Sequence, residues 1–175
     1  FCVVPYTRGA EFSRSVENIY AEAITLVKNG AKELTLLGQN VSSYESDVIK
    51  DGKKKKIRLS DLCQILSEIV GLERIRYLTS HPIDIDDNLL NQHQKNPKLM
   101  PFLHLPIQSG SDRILKKMNR KHNKSFYLSL INKIKKVNKN MAFSSDFIVG
   151  YPGETDKDFQ ESLEVIEKVR FASSY

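Results

Sequence analysis

The residues in this 175-residue sequence best equipped for chemistry are one thiol, two histidines and a set of glycine-bearing polar turns. Cys2 lies in Phe1-Cys-Val-Val-Pro-Tyr-Thr-Arg-Gly9, with Glu11, Ser13 and Arg14 just beyond. Proline removes a ladder donor and glycine weakens a strand interior, so Pro5, Arg8 and Gly9 this close together describe an ordered loop and not a core strand. A thiolate in such a loop could ligate a metal, and a lone cysteine can equally be inert. Cys63 is different: it falls among Leu59, Leu62, Leu66, Ile69 and Val70 at helical spacing and reads as a small core residue. Two cysteines are too few for a disulfide framework in a chain of this size.

His81 and His104 could move protons. His104 sits inside a strand-like run and His81 precedes Pro82, however, and both positions suit a hydrogen-bonded structural histidine. His93 and His122 stand among polar neighbours and suggest no role. The sequence has no H-E-x-x-H and no paired C-x-x-C, hence no complete metal site, and neither a G-x-G-x-x-G nor a Walker A lysine motif. Glycines 38, 110, 150 and 153 would let backbone approach a ligand, and helix starts at Ser111 and Thr155 would offer N–H groups to an anion or carboxylate. The same residues could be the ordinary caps and turns of a βα fold.

The elements that must position these groups follow from periodicity. Residues 15–29 place Ile19, Ala23, Leu26 and Val27 near one helical face, with Ser15 as cap and Gly30 beyond the end. Residues 33–37 form a strand that opens into Gly38-Gln-Asn40. A long solvated loop with the run Lys53 to Lys56 is expected next, then a helix from a Ser60 cap to about Val70. Strands are predicted over 74–79, 102–105 and 142–149, helices over 86–95, 112–118 and 125–137. Thr155 and Asp158 resemble a capping box for a last helix with Phe159, Leu163, Ile166 and Val169 on its apolar side, and residues 171–175 could begin another strand.

Helices alternating with strands over short connections imply a parallel sheet with right-handed crossovers, in one α/β domain. Four unusual turns then follow strand C-terminal ends, the side on which barrel enzymes build their sites. Composition agrees with a soluble globular chain: 40% hydrophobic, 27% charged, formal net charge +6. A basic balance favours polyanionic partners such as nucleic acid, although an isolated charge run is as a rule a solvated face. No apolar run approaches a membrane span, so a cytoplasmic location without membrane contact is expected.

The motifs, taken in order, resemble a known family. Cys2 to Gly9 with Glu11, Ser13 and Arg14, Leu36-Leu-Gly-Gln-Asn-Val41 with Ser43-Tyr44, Leu78-Thr-Ser-His-Pro82, His104-Leu-Pro-Ile-Gln-Ser-Gly-Ser111 with Met118-Asn-Arg120, and Asp146-Phe-Ile-Val-Gly-Tyr-Pro-Gly-Glu-Thr155 are similar to radical S-adenosylmethionine methylthiotransferases. Val-Pro-Tyr-Thr-Arg-Gly places the chain nearest the branch that thiomethylates isopentenyl-adenosine in tRNA. The resemblance implies a partial (β/α)6-type radical SAM barrel whose first strand is missing. It also implies addition of a methylthio group to C2 of N6-isopentenyladenosine next to the anticodon, by the full-length protein. By the same resemblance Cys2 is the third ligand of a C-x-x-x-C-x-x-C [4Fe–4S] cluster, whose open iron binds S-adenosylmethionine and generates a 5′-deoxyadenosyl radical. A second S-adenosylmethionine supplies the methyl group.

It further implies cofactor contacts from Gln39, Asn40, Ser109, Asp146, Ile148, Val149 and Gly150. Arg8, Arg14 and Arg120 are candidates for meeting tRNA phosphates or ordering the loop. tRNA and an electron donor are the expected partners, and a monomer the expected state. Residue 1 is not Met, and the chain is expected to be an incomplete radical SAM core over 1–175. Two cluster cysteines, an N-terminal methylthiotransferase domain with a second cluster and a C-terminal TRAM RNA-binding domain would then lie outside it. One thiolate in place of three should not hold a stable cluster, and a missing strand should leave apolar edges exposed. Ser15 replaces the family's usual proline, a mild change because both serve a helix start. The alternative is a non-catalytic remnant or binding module with a similar barrel and no cluster. An ordinary lyase or aldolase barrel is disfavoured because no lysine stands at a strand end.

Overall fold

The computed structural model of the chain describes residues 6–7, 9–10, 12–50, 52–78 and 80–175. Helix α1 (Val16–Lys28) starts where Ser15 Oγ accepts from Asn18 N, and strand β1 (Glu33–Leu36) follows. An antiparallel hairpin of β2 (Glu45–Lys50) and β3 (Lys53–Arg58) comes next, then α2 (Leu59–Ser67), β4 (Arg74–Tyr77) and α3 (Asp87–Lys95). The chain continues through β5 (Phe102–His104), the short α4 (Asp112–Lys117), α5 (Lys124–Val137), β6 (Ala142–Ser145), α6 (Asp156–Val169) and β7 (Ser173–Ser174).

Strands β1 and β4 pair in parallel, as do β5 with β6 and β6 with β7. The residues just before β5 join the two groups: Ile75 N donates to Lys98 O (2.7 Å) and Met100 N donates to Ile75 O (3.0 Å). The lateral order β1, β4, β5, β6, β7 therefore repeats chain order. Every right-handed crossover steps the same way, which sends all the helices to one face and leaves an open part of a barrel. Apart from the short α4, the helices lean on one another in turn: α1 on α2, α2 on α3, α3 on α5, α5 on α6.

The core lies between this helix layer and the sheet. Leu62, Cys63 and Leu66 of α2, Leu89 and Leu90 of α3, Tyr127, Ile131 and Ile134 of α5 and Val165 of α6 are buried there with Ile75, Tyr77, Leu103 and Phe143 from the strands. Such side chains contribute about 1.5–3 kcal/mol each on burial, against the cost of ordering the chain. The opposite, concave face is polar because strand residues alternate. Glu33 there accepts from Arg74 Nε (2.8 Å) and Arg76 Nε (3.0 Å), and His104 stands beside Ser144. The Arg74 and Arg76 guanidiniums lower the pKa of Glu33.

Three local expectations need correction. The lysine run is not a solvated loop but strand β3, closed by the turn at Gly52, whose positive φ of 72° suits glycine. The sheet system is thus parallel with one antiparallel appendage. Ser60 is not the cap of α2: the helix starts at Leu59, and Asp61 accepts from Arg58 N (3.0 Å), leaving Ser60 buried. The strand expected over 142–149 stops at Ser145, and its continuation is held by loop pairing.

Candidate functional site

The loops after β1, β4, β5 and β6 meet on one rim, and side chains lock them together in pairs. Asn40 uses its whole amide to join the first two. Its Nδ2 donates to Asp84 Oδ2 (2.6 Å), and its Oδ1 accepts from His81 N (3.1 Å) and Ser42 Oγ (2.8 Å). Gln39 beside it is exposed and points no hydrogen bond at any described residue.

The β5 and β6 loops are zipped by backbone. Gln108 N donates to Asp146 O (2.9 Å) and Ile148 N donates to Gln108 O (2.8 Å), with Gln108 in the left-handed region at φ 77°. Below this zipper Ser145 Oγ accepts from Ile107 N (3.0 Å) and donates to Leu105 O (3.1 Å). His104 is oriented at both nitrogens: Nδ1 lies 2.8 Å from Ser144 Oγ and Nε2 lies 3.4 Å from Asp146 Oδ2. Asp146 is half-buried at the rim, and past it Val149 is 65% exposed, an apolar side chain where the surroundings are polar.

Helix α6 anchors the β5 loop. Gly110 N donates to Ser162 Oγ (2.8 Å), and Ser111 Oγ donates to Asp158 Oδ1 (2.5 Å). A Cβ at Gly110 would stand 2.2 Å from Glu161 O, so only glycine allows this approach. Asp158 also accepts from Arg113, from Thr155 Oγ1 (2.6 Å) and from Thr155 N (2.9 Å), while Thr155 Oγ1 accepts from Asp158 N. The predicted capping box is therefore real and doubles as a tie to a second loop. Arg113 first, then Ser111 and Thr155, hold the Asp158 carboxyl well below the usual carboxylate range. Ser109 is buried, and its Oγ accepts from Ser111 N (3.2 Å), shaping the loop from within.

Two depressions open near the rim. One, of about 810 Å³, has Gly38, Gln39 and Asn40 along its edge together with Arg14 and Tyr44, and an apolar floor including Leu34 and Leu62. The other, of about 310 Å³, is lined by Val149, Gly150, Glu154, Thr155, Asp156 and Phe159. Gly150 has φ 76°, and its N–H is taken by the Glu154 carboxylate, which fixes this turn.

The arginines separate. Arg14 pairs with Glu22 (2.6 Å), and its carbonyl accepts from Tyr44 Oη (2.9 Å), so it orders the segment preceding α1. Arg120 is half-buried; burial first, and then the Arg120 charge, lower the pKa of His81. Arg8 and Cys2 lie outside the described residues. Among the described residues no cluster of three or more histidine, cysteine or acidic side chains could hold a metal.

His93 and His122 are not in the polar surroundings their sequence neighbours suggest. His93 is 4% exposed, with Nε2 2.7 Å from Tyr77 Oη, and burial pushes its pKa down to about 4. His122 is buried edge-on to His81 at 5.5 Å between ring centroids. Burial first, and then the neighbouring His81, push its pKa to about 4 as well. These contacts span 16 and 41 residues of sequence, which local pattern does not show. Cys63 is a core residue as expected, and burial pushes its thiol up to about 12.

A one-way parallel sheet with its polar concave face and fused C-terminal rim has the architecture of a radical SAM core. The family model described as "Radical SAM superfamily" matches residues 1–166, and the chain belongs to that superfamily. Membership implies a [4Fe–4S] cluster and S-adenosylmethionine. Over all 175 residues the chain is 54% identical to the tRNA-2-methylthio-N(6)-dimethylallyladenosine synthase of Rickettsia typhi and 52% identical to that of Rickettsia canadensis. It spans 39% of the length of these relatives. Among solved structures, archaeal Methanocaldococcus infernus Elp3 with an N-terminal deletion superposes with a TM-score of 0.51 at 16% identity. The match covers 88% of this chain and 40% of that one, and it supports the fold alone.

Proposed function

We propose that this chain is the radical SAM core of a tRNA methylthiotransferase that adds a methylthio group to C2 of N6-isopentenyladenosine beside the anticodon. The observation that carries the reading is identity of 52–54% over the whole chain to relatives named for that chemistry. Methylthiotransferase and TRAM domains would flank the core in the full-length protein, with a second cluster in the former.

The residues present fit the cofactors. The Val149 side chain and the Gly150 turn, beside a depression of about 310 Å³, suit a planar base. Asp146, steadied by His104, offers a carboxylate to ribose hydroxyls. Gln39 is exposed at the rim and free to meet the amino-acid end of S-adenosylmethionine, while Asn40 holds the loop that carries it. Ser109 acts from within its loop and Ile148 through its backbone. Cys2 would be one of three cluster thiolates. When bound, the cluster and S-adenosylmethionine supply the radical chemistry. The protein's part is to hold the two against each other on a rim that the Asn40, Gln108 and Asp158 contacts make rigid. tRNA and an electron donor are the partners this reading requires, and a monomer suffices.

The test uses the full-length protein, reconstituted anaerobically with iron and sulfide and given reductant, S-adenosylmethionine and tRNA bearing N6-isopentenyladenosine. Mass spectrometry of the digested nucleosides should show the 2-methylthio product, lost in Cys2→Ala. Reductive cleavage of S-adenosylmethionine with no thiomethylated nucleoside would refute the substrate assignment. No cluster and no cleavage would instead favour a binding module.

A further inference from the structure

The β2–β3 hairpin leaves the rim immediately after the Gly38–Tyr44 loop and is rooted by the buried Ser46 and Ile57. Its strands, of six residues each, extend about 20 Å at roughly 3.3 Å per residue. Charge along this ribbon is uneven: toward the tip the sequence sets Lys50, Lys53, Lys54 and Lys55 against Asp51, a cationic excess. At the root, Lys56 pairs with Glu45 (2.7 Å), and Arg58 with Glu45 (3.6 Å) and Asp86 (3.4 Å). Toward the tip, Lys53, Lys54 and Lys55 are exposed and have no ion pair among the described residues. Lys53 and Lys55 project to one side of the ribbon and Lys54 to the other, with Lys54 opposite the 79% exposed Ile49.

Lysine is a poor strand former, and adjacent cations repel, so the run weakens the hairpin that contains it. A two-stranded ribbon with open edges needs charge to avoid pairing with other chains, but charge of either sign meets that need. Paired charges at the root and an excess of cations toward the tip fit a further requirement, a polyanion lying across the rim.

We infer that the tip lysines Lys53, Lys54 and Lys55 form a phosphate-contacting ribbon that holds the RNA backbone over the candidate site. The inference rests on the tRNA reading above and adds a surface to it. Contacts of this kind position the nucleic acid without reading its sequence, and lysine meets phosphate as a point charge, so the ribbon supplies salt-dependent affinity and not base selection.

Binding of the full-length protein to tRNA, followed by fluorescence anisotropy over a range of salt, tests this. The combined variant Lys53→Ala, Lys54→Ala, Lys55→Ala should bind about tenfold or more weakly, with the log–log salt slope shallower by about 2. Replacing the same three residues by arginine should preserve both. Reductive cleavage of S-adenosylmethionine without tRNA should be unchanged in either variant, which confirms an intact core. Wild-type protein that binds tRNA, with affinity and slope unaltered by the alanine substitutions, would overturn the ribbon and leave the function standing. Wild-type protein that cleaves S-adenosylmethionine but does not bind tRNA would overturn both. Lysine-dependent binding to phosphatidylserine vesicles with none to tRNA would assign the ribbon to a membrane surface and overturn it likewise.

Discussion

Acidification from about pH 7.5 to about pH 5 should destabilise the fold through His93, and burial sets the scale. The imidazole is 4% exposed, and among the described residues only its Nε2 is partnered, by Tyr77 Oη at 2.7 Å. Burial holds its folded pKa near 4 against an ordinary 6.5. The unfolded chain therefore binds more protons between those values, and the stability that neutral His93 contributes is complete above about 6.5 and drains away as pH falls toward 4. At about 1.4 kcal/mol per pKa unit the full loss is about 3 kcal/mol, of which about 2 is reached by about pH 5. That is a large share of the 5–15 kcal/mol typical of a domain. His93→Phe keeps a ring in the cavity but cannot bind the proton. Its cost at neutral pH is about 1–3 kcal/mol, for the orphaned Tyr77 hydroxyl. The gap between wild type and variant should then narrow by about 2 kcal/mol on going to about pH 5, because His81 and His122 titrate in both and cancel. Urea unfolding followed by far-UV circular dichroism measures the gap, there being no tryptophan to report it. A gap that does not change with pH would refute the argument.

Gly110→Ala should cost about 3 kcal/mol or more, since the new methyl meets the Glu161 backbone and not a flexible side chain, and it should weaken S-adenosylmethionine binding by displacing the Ser109 loop; urea unfolding and equilibrium dialysis check the two effects. Asp158→Asn should lower the melting temperature at neutral pH by weakening the Arg113, Ser111 and Thr155 contacts. The deficit should shrink as pH falls below about 3.8, where the wild-type carboxylate itself begins to lose its advantage, and thermal scans at several pH values would show it. Cys63, buried and with its thiol pushed up to about 12, should resist alkylation at about pH 8 in the folded chain and react on unfolding, as mass spectrometry would record.

The helices were legible wherever capping and periodicity coincided. Ser15 caps α1 and the Thr155–Asp158 box starts α6 as their spacing predicts, because both rest on interactions three residues apart. The rim was legible as a set of turns, since glycine and proline mark strand ends whatever the tertiary contacts. The hairpin was not: four consecutive lysines show no alternation and read as a solvated face, while the pairing that makes them a strand is with β2. Nor were the buried histidines, whose ring contacts include Tyr77 and His81, far away in sequence. Ser111 looked like a helix cap, yet its hydroxyl serves Asp158 of α6 and gives α4 no side-chain cap, so a local rule yields to a longer-range bond.

The agreement between lateral strand order and chain order bears on how the protein is made. Each parallel strand after β1 docks on the edge left by the one before it, the hairpin being an excursion that returns before α2. During synthesis, each newly released parallel strand finds the edge it pairs with already laid down. Assembly can thus follow the ribosome from one side of the sheet to the other, and the rim loops acquire their partners in the same sequence: β1 with β4 through Asn40, then β5 with β6 through Gln108, with α6 closing the β5 loop last.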